Sequence, residues 1–195
     1  MATHIATQQE QVRRYAEWVK KEGGIELPTH LATLFKAHQV IRLNWLRDNC
    51  EGRILELGTC FGFVLAYCNG HTGVDNNADN ITLARILNPK LEFAVSDIRN
   101  LSFVENSFDT VMAPDVLEHV PWGDVSLVLN RLKLIARRFI LITVPSESGI
   151  ESRSFKHQWV VTNEKIAKIR HMFPQLRVDV SQDSSFVYIK VHLAK

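Results

Sequence analysis

The sequence predicts a three-layer α/β sandwich: a mostly parallel, seven-stranded sheet, helices on both faces, and one antiparallel strand in a C-terminal hairpin. Three observations predict it. From Arg53 onward, short apolar runs alternate with stretches of helical spacing, the pattern of successive βαβ units with right-handed crossovers. The first such run ends in a glycine turn, Gly58-Thr-Cys-Phe-Gly62, and the next ends in an acid, Asp75. The last two runs are separated only by a turn around Gln182 to Ser185, a connection that can join only antiparallel neighbours.

In chain order, residues 8–21 and 30–48 have helical spacing. Tyr15, Trp18 and Val19 share one face of the first, and Leu31, Leu34, His38, Ile41 and Trp45 one face of the second. Gly23-Gly24 and Pro28 separate them. Strands are expected at 53–58, 71–75, 91–96, 109–113, 138–144, 176–182 and 186–194, and helices at 62–68, 77–87, 123–137 and 162–172. At 195 residues the chain suits one domain, with residues 1–50 as a helical cover and 51–195 as the sheet and its helices. No repeat, low-complexity tract or interdomain linker interrupts it.

The composition is that of a soluble globular protein. No apolar run reaches the length of a membrane span, and Met1 to Gln11 lacks the apolar stretch of a secretory signal. Cys50, Cys60 and Cys68 are odd in number and lack zinc-like spacing, so they are expected as reduced thiols in a cytoplasmic protein. The net charge of +2 conceals an asymmetry: residues 131–195 carry 12 Lys/Arg against 5 Asp/Glu, and the rest is net acidic. Without a run of adjacent basic residues, this reads as a solvated face rather than a nucleic-acid arm.

A strand ending in glycine lets backbone N–H groups approach a ligand closely. An acid at the tip of the next strand can accept hydrogen bonds from a ribose diol. Together they point to an adenosine-containing cofactor. A dinucleotide site requires G-x-G-x-x-G. Counted from Gly58, the second and third positions hold Cys60 and Phe63, and Gly62 falls one place early, which disfavours a nicotinamide or flavin oxidoreductase.

The wider constellation is more specific. Residues 53–62 resemble motif I of the class I S-adenosylmethionine-dependent methyltransferases, acid-x-G-x-G-x-G, with Glu56, Gly58 and Gly62 matching and Cys60 in place of the middle glycine. Thr72-Gly-Val-Asp75, Phe93-Ala-Val-Ser-Asp97-Ile98, Glu105-Asn-Ser-Phe-Asp109-Thr-Val, Pro114-Asp-Val-Leu-Glu-His119-Val and Leu141-Ile-Thr-Val-Pro145 resemble the later motifs, in order, across residues 50–146. The type 11 group is the one resembled. The resemblance implies a Rossmann-like fold and S-adenosylmethionine as cofactor. It implies that Glu56 and the carbonyls of Gly58 and Pro114 receive the amino group, and that Asp75 takes the ribose. It implies further that Asp97 and the Ile98 N–H hold the adenine, and that Thr59, Cys60, Gly62 and Asn76 border the cofactor.

Methyl transfer from a sulfonium needs alignment and exclusion of water, and a hydroxyl acceptor also needs a base. His119, beyond the fourth strand, is the candidate base or acceptor-positioning residue. Some similar methyltransferases hold a divalent metal with a Glu-x-x-Glu-His cluster and a later histidine. Here Asp115, Glu118, His119 and His157 stand in those places, the first acid with a shorter reach, and no metal ligand is assigned. Trp122, His157 and Trp159 are expected either to line the acceptor pocket or to pack a lid. No Asn-Pro-Pro-Tyr or Asp-Pro-Pro-Tyr run follows the fourth strand, against methylation of a nucleobase amine. A small-molecule acceptor and O-methylation are expected, with no membrane or nucleic-acid partner; a homo-oligomer is compatible. The alternative is a non-catalytic, methyltransferase-like subunit that binds the cofactor and acts through a protein partner.

Overall fold

The computed structural model describes residues 37–147 and 157–193. The expected helix at 8–21 and the start of the one at 30–48 lie outside the described residues. The second continues as α1 (Ala37–Asn49). Then follow β1 (Ile54–Leu57), α2 (Phe63–Tyr67), β2 (Thr72–Asp75), α3 (Ala78–Leu87) and β3 (Glu92–Val95). The second half holds β4 (Phe108–Pro114), α4 (Trp122–Ile135), β5 (Ala136–Pro145), α5 (Asn163–His171), β6 (Arg177–Gln182) and β7 (Phe186–His192).

The seven strands lie in the order β3-β2-β1-β4-β5-β7-β6. Only β7 opposes the rest, antiparallel to both β5 and β6, as the short final turn requires. The chain builds outward from β1 to β3, then returns to place β4 on β1's other side. Such a reversal leaves a crevice at the carboxyl ends of β1 and β4.

Strand side chains alternate between faces, and the two cores follow that alternation. Leu55, Leu57, Val111, Ala113, Ile140, Ile142, Val187 and Ile189 join the larger apolar cluster with α4 and α5. Ile54, Met112 and Leu141, one residue out of phase, join the smaller cluster with α1, α2 and α3. Glu56, Thr110 and Thr143 share that second phase and are buried under the same helices. α1 reaches across to β7: Trp45 packs on Tyr188 with ring centroids 5.1 Å apart, and Lys190 donates to Asn49 Oδ1 at 3.1 Å. Trp45 is thus a packing residue.

Two local differences from the expected elements have clear causes. The helix expected over 123–137 ends at Ile135, because Ala136 already pairs with Phe108 in the sheet. Arg137 and Arg138 therefore lie on the strand, where they pair with Asp109 at 3.3 Å and Glu51 at 2.6 Å. Short 3-10 turns, unforeseen, occupy Ile98–Asn100 and Leu117–His119.

Candidate functional site

The glycine turn after β1 has a positive φ at every second residue: Gly58 at 63°, Cys60 at 49° and Gly62 at 74°. Alternation of this kind is that of a backbone nest; here the fold itself takes up the N–H groups, Thr59 donating to the Val74 carbonyl at 2.9 Å, Cys60 to Asp75 Oδ2 at 2.9 Å and Gly62 to the Thr59 carbonyl at 2.8 Å. Cys60 adopts the left-handed conformation that glycine usually supplies, at a cost of roughly 1–2 kcal/mol. Its thiol packs against the smaller apolar cluster, and burial pushes it up to about 12, which makes it inert. Gly58 is required for a second reason: a Cβ there would sit 2.6 Å from Val116 Cγ2, so the turn lies directly against the segment after β4.

Glu56 supports this turn from behind. It is 1 % exposed, and its Oε2 accepts the Thr59 hydroxyl at 2.5 Å and the Leu65 N–H at 3.0 Å. Thr59 reaches that position because residue 73 is glycine; a Cβ there would lie 2.6 Å from Thr59 Oγ1. Burial pushes Glu56 up to about 8, against the pull of those two hydrogen bonds. Through these two bonds the carboxyl fixes the turn and the start of α2.

Asp75 stands at the tip of β2, 8 % exposed. Its Oδ2 accepts the Cys60 N–H at 2.9 Å, and its Oδ1 accepts the Asn77 N–H at 2.9 Å and the Asn80 amide at 3.2 Å. A carboxylate offers about four lone-pair sites, so about one remains for a ribose hydroxyl. Asn76 beside it is exposed. Asp97 caps the Ile98–Asn100 turn through the Arg99 N–H at 2.9 Å and pairs with the Arg99 guanidinium, which holds its carboxyl below the usual range. Ile98 is buried behind it.

Past β4 the chain turns sharply at Asp115, with φ 52°. Its carboxylate accepts the Thr143 hydroxyl at 2.8 Å and pairs at 2.8 Å with Arg42, a 4 % exposed side chain of α1. Asp115 is thus held by Arg42 and Thr143, while the 3-10 turn that carries Glu118 and His119 starts only at Leu117. Glu118, His119 and His157 do converge: one ligand atom from each lies within 4.8 Å of the others. The two imidazole centroids are 5.0 Å apart. Pro114 is buried at the end of β4. Trp159 is buried and its indole N–H donates to the carbonyls of Leu117 and Val120 at 3.1 and 3.0 Å, an anchor for the turn carrying His119. Ser154 to Lys156 lie outside the described residues.

The structure thus gathers Gly58, Thr59, Cys60, Gly62 and Asp75 at one end of the crevice, with Pro114 at the end of β4 and His119 beyond it. Sequence reasoning missed Arg42, which reads as an ordinary helix charge. It also missed Asn77 and Asn80, although an Asn ahead of a helix is a capping signal and Asn77 does cap α3.

A family profile described as a methyltransferase domain, type 11, matches residues 55–138. No curated protein sequence matches. Among solved structures, magnesium protoporphyrin IX methyltransferase of Synechocystis, determined with bound S-adenosylhomocysteine, is 15% identical with a TM-score of 0.64 and covers 97% of this chain and 99% of its own. A Thermotoga maritima S-adenosylmethionine-dependent methyltransferase, described as a possible histamine N-methyltransferase, is 14% identical with a TM-score of 0.68, covering 93% and 95%. One from Mesorhizobium loti is 16% identical with a TM-score of 0.64, covering 82% and 100%. The chain therefore matches the methyltransferase-domain family over residues 55–138 and shares, across most of its length, the fold of these S-adenosylmethionine-dependent methyltransferases.

Proposed function

We propose that the enzyme methylates an oxygen of a small-molecule acceptor. The observation that carries this reading is the pairing of His119 and His157 beyond the carboxyl end of β4, with ring centroids 5.0 Å apart. A sulfonium carries its own activation, so the chain has three tasks: to bind, to align and to accept a proton. In this reading the glycine turn at Gly58–Gly62 borders the methionine part. The open lone pair of Asp75 takes a ribose hydroxyl, and Asp97 with the Ile98 N–H borders the adenine. The Cys60 N–H, which donates to Asp75 Oδ2 at 2.9 Å, ties this turn to the acid at the sugar position. His119, exposed on its 3-10 turn, meets the acceptor hydroxyl. Imidazole is suited to take its proton near neutral pH.

Calorimetry with S-adenosylhomocysteine tests the cofactor half. Asp75→Ala is expected to lose on the order of 1.5–3 kcal/mol of binding, since it removes a charge-assisted hydrogen bond; unchanged affinity would remove the ribose from Asp75. Against a panel of hydroxylated acceptors, His119→Ala is expected to slow turnover by about 100-fold or more while leaving cofactor affinity close to wild type. Normal turnover in that variant would deny His119 the role.

A further inference from the structure

Cys50, Cys60 and Cys68 are all free thiols, and the methyl-transfer chemistry above uses neither Cys50 nor Cys68. Each of these two closes a helix. Cys50 follows α1 directly, and its N–H donates to the Leu46 carbonyl at 3.0 Å. Cys68 follows α2 directly, and its N–H donates to the Val64 carbonyl at 3.0 Å. Both side chains join the smaller apolar cluster, Cys68 fully buried and Cys50 half-buried.

The residues ahead of the two cysteines hold the helix ends side by side. The Arg47 guanidinium donates to the Tyr67 hydroxyl at 3.0 Å and stands 5.3 Å from that ring's centroid. The same hydroxyl donates to Asn44 Oδ1. Cys50 lies one helical turn beyond Arg47 and Cys68 directly after Tyr67, so this clasp brings their side chains together. The two thiols are joined by a hydrogen bond, and the Cys50 thiol also reaches Met112 Sδ on β4, at 3.9 Å. The hydrogen bond to Cys50, and then burial, push the Cys68 thiol well above its ordinary range, so it keeps its proton while Cys50 is unmodified.

We propose that Cys50 and Cys68 form a reversible redox pair, and that a disulfide between them fastens the end of α1 to the end of α2. Hydrogen-bonded sulfurs need only side-chain rotation and a slight yielding of two helix ends to reach a bond of about 2.05 Å. A low-molecular-weight disulfide such as oxidised glutathione supplies the oxidising equivalents. Cys50, the more exposed thiol, loses its proton and attacks one sulfur of that disulfide. The glutathione S–S bond breaks, a mixed disulfide forms on Cys50, and one glutathione leaves as a thiolate that takes up a proton. Cys68 then gives its proton to solvent and attacks the Cys50 sulfur, expelling the second glutathione, which is protonated in turn. Two protein thiols are oxidised and one glutathione disulfide is reduced to two thiols. Burial of Cys68 makes the second step the slow one. The chain loop closed by the bond contains β1 and the whole glycine turn, and α1 carries the Arg42 that holds Asp115. The pair stands independently of the acceptor reading above.

The test is incubation of the folded full chain across a glutathione redox series, followed by iodoacetamide trapping under denaturing conditions and peptide mapping by mass spectrometry. Thermal unfolding is followed on the same samples. A Cys50–Cys68 bridge is expected, with a melting temperature raised by about 5 °C or more, because the bond restricts the unfolded chain. Dithiothreitol is expected to reverse both. Cys50→Ser and Cys68→Ser, each checked for folding by circular dichroism, are expected to show neither. Both thiols still alkylated in the wild type at millimolar oxidised glutathione would overturn the pair. So would a mixed disulfide on Cys50 that persists with Cys68 free, or a bridge to Cys60 instead. The wild-type map decides these outcomes even where a variant fails to fold. A bridge that forms without a rise in melting temperature would overturn the fastening of α1 to α2.

Discussion

A carboxyl group sealed between a sheet and its helices favours the neutral form, and Glu56 is such a group. Its ordinary value is 4.5 and burial raises it to about 8. Below pH 4.5 folded and unfolded chains both carry the proton, and the group's stabilising contribution is fully present. As the pH rises from 4.5 toward 8 the unfolded chain ionises and the folded one does not, so that contribution is lost. Glu118, raised by burial and then by Asp115, acts in the same direction. Glu56→Gln keeps an oxygen for Thr59 and the Leu65 N–H and cannot ionise. Urea unfolding at pH 5 and pH 8 is expected to show a shallower loss of stability in the variant than in wild type, by on the order of 1.4 kcal/mol for each pH unit spanned by the shift. Equal slopes would mean that Glu56 ionises freely in the folded chain. Asp75 was legible as an acid at the tip of the second strand because an apolar run ends there. Its three internal donors were not legible, since Cys60, Asn77 and Asn80 reach it only after β1, β2 and α3 are packed.

The joints between elements set the shape of the crevice more than the elements themselves. Seven strands and their order of appearance were readable because apolar runs and helical spacing alternate with local punctuation. The 3-10 turns at Ile98–Asn100 and Leu117–His119 were not, because three residues carry no periodicity. The abrupt passage from α4 to β5 was also hidden: helix propensity continues through Ala136 and Arg137, and pairing with β4 overrides it. The joint after β1 has the tightest tolerance. Gly58 has φ 63°, and a Cβ there meets Val116 at 2.6 Å. Gly58→Ala therefore incurs left-handed strain of about 1–2 kcal/mol and pushes the segment after β4 away from the nest. The expected result is a lowered melting temperature together with weaker S-adenosylhomocysteine binding. Loss of stability with unimpaired binding would show that the nest and the segment after β4 move independently.

Across the whole molecule, Arg42 ties the helical layer to the edge of the crevice. It lies at 4 % exposure between Asp115 and the Phe186 ring, 5.3 Å from that ring's centroid. It also lowers both Glu56 and Glu118 through its charge. One buried cation thus serves carboxyl groups from β1 and from the segment after β4, two parts of the chain separated by more than a βαβ unit. Nothing local in the sequence marks Arg42 for this task; an arginine within a helix ordinarily reaches solvent, and only the placement of α1 across β5 and β7 turns it inward. Removing one partner of a buried pair leaves the other charge uncompensated, which costs about 3–5 kcal/mol, whereas removing both is far milder. Arg42→Met is expected to destabilise the chain by about that amount in chemical unfolding. Adding Asp115→Asn, whose amide still accepts the Thr143 hydroxyl and whose side chain tolerates the left-handed backbone, is expected to recover a large part of the loss. Additive effects of the two substitutions would mean that Arg42 and Asp115 do not act as a pair. In that case α1 would be fastened to the sheet by its remaining contacts, the smaller core, the Trp45–Tyr188 packing and the Lys190–Asn49 hydrogen bond, and the geometry beyond β4 would owe nothing to the helix above it.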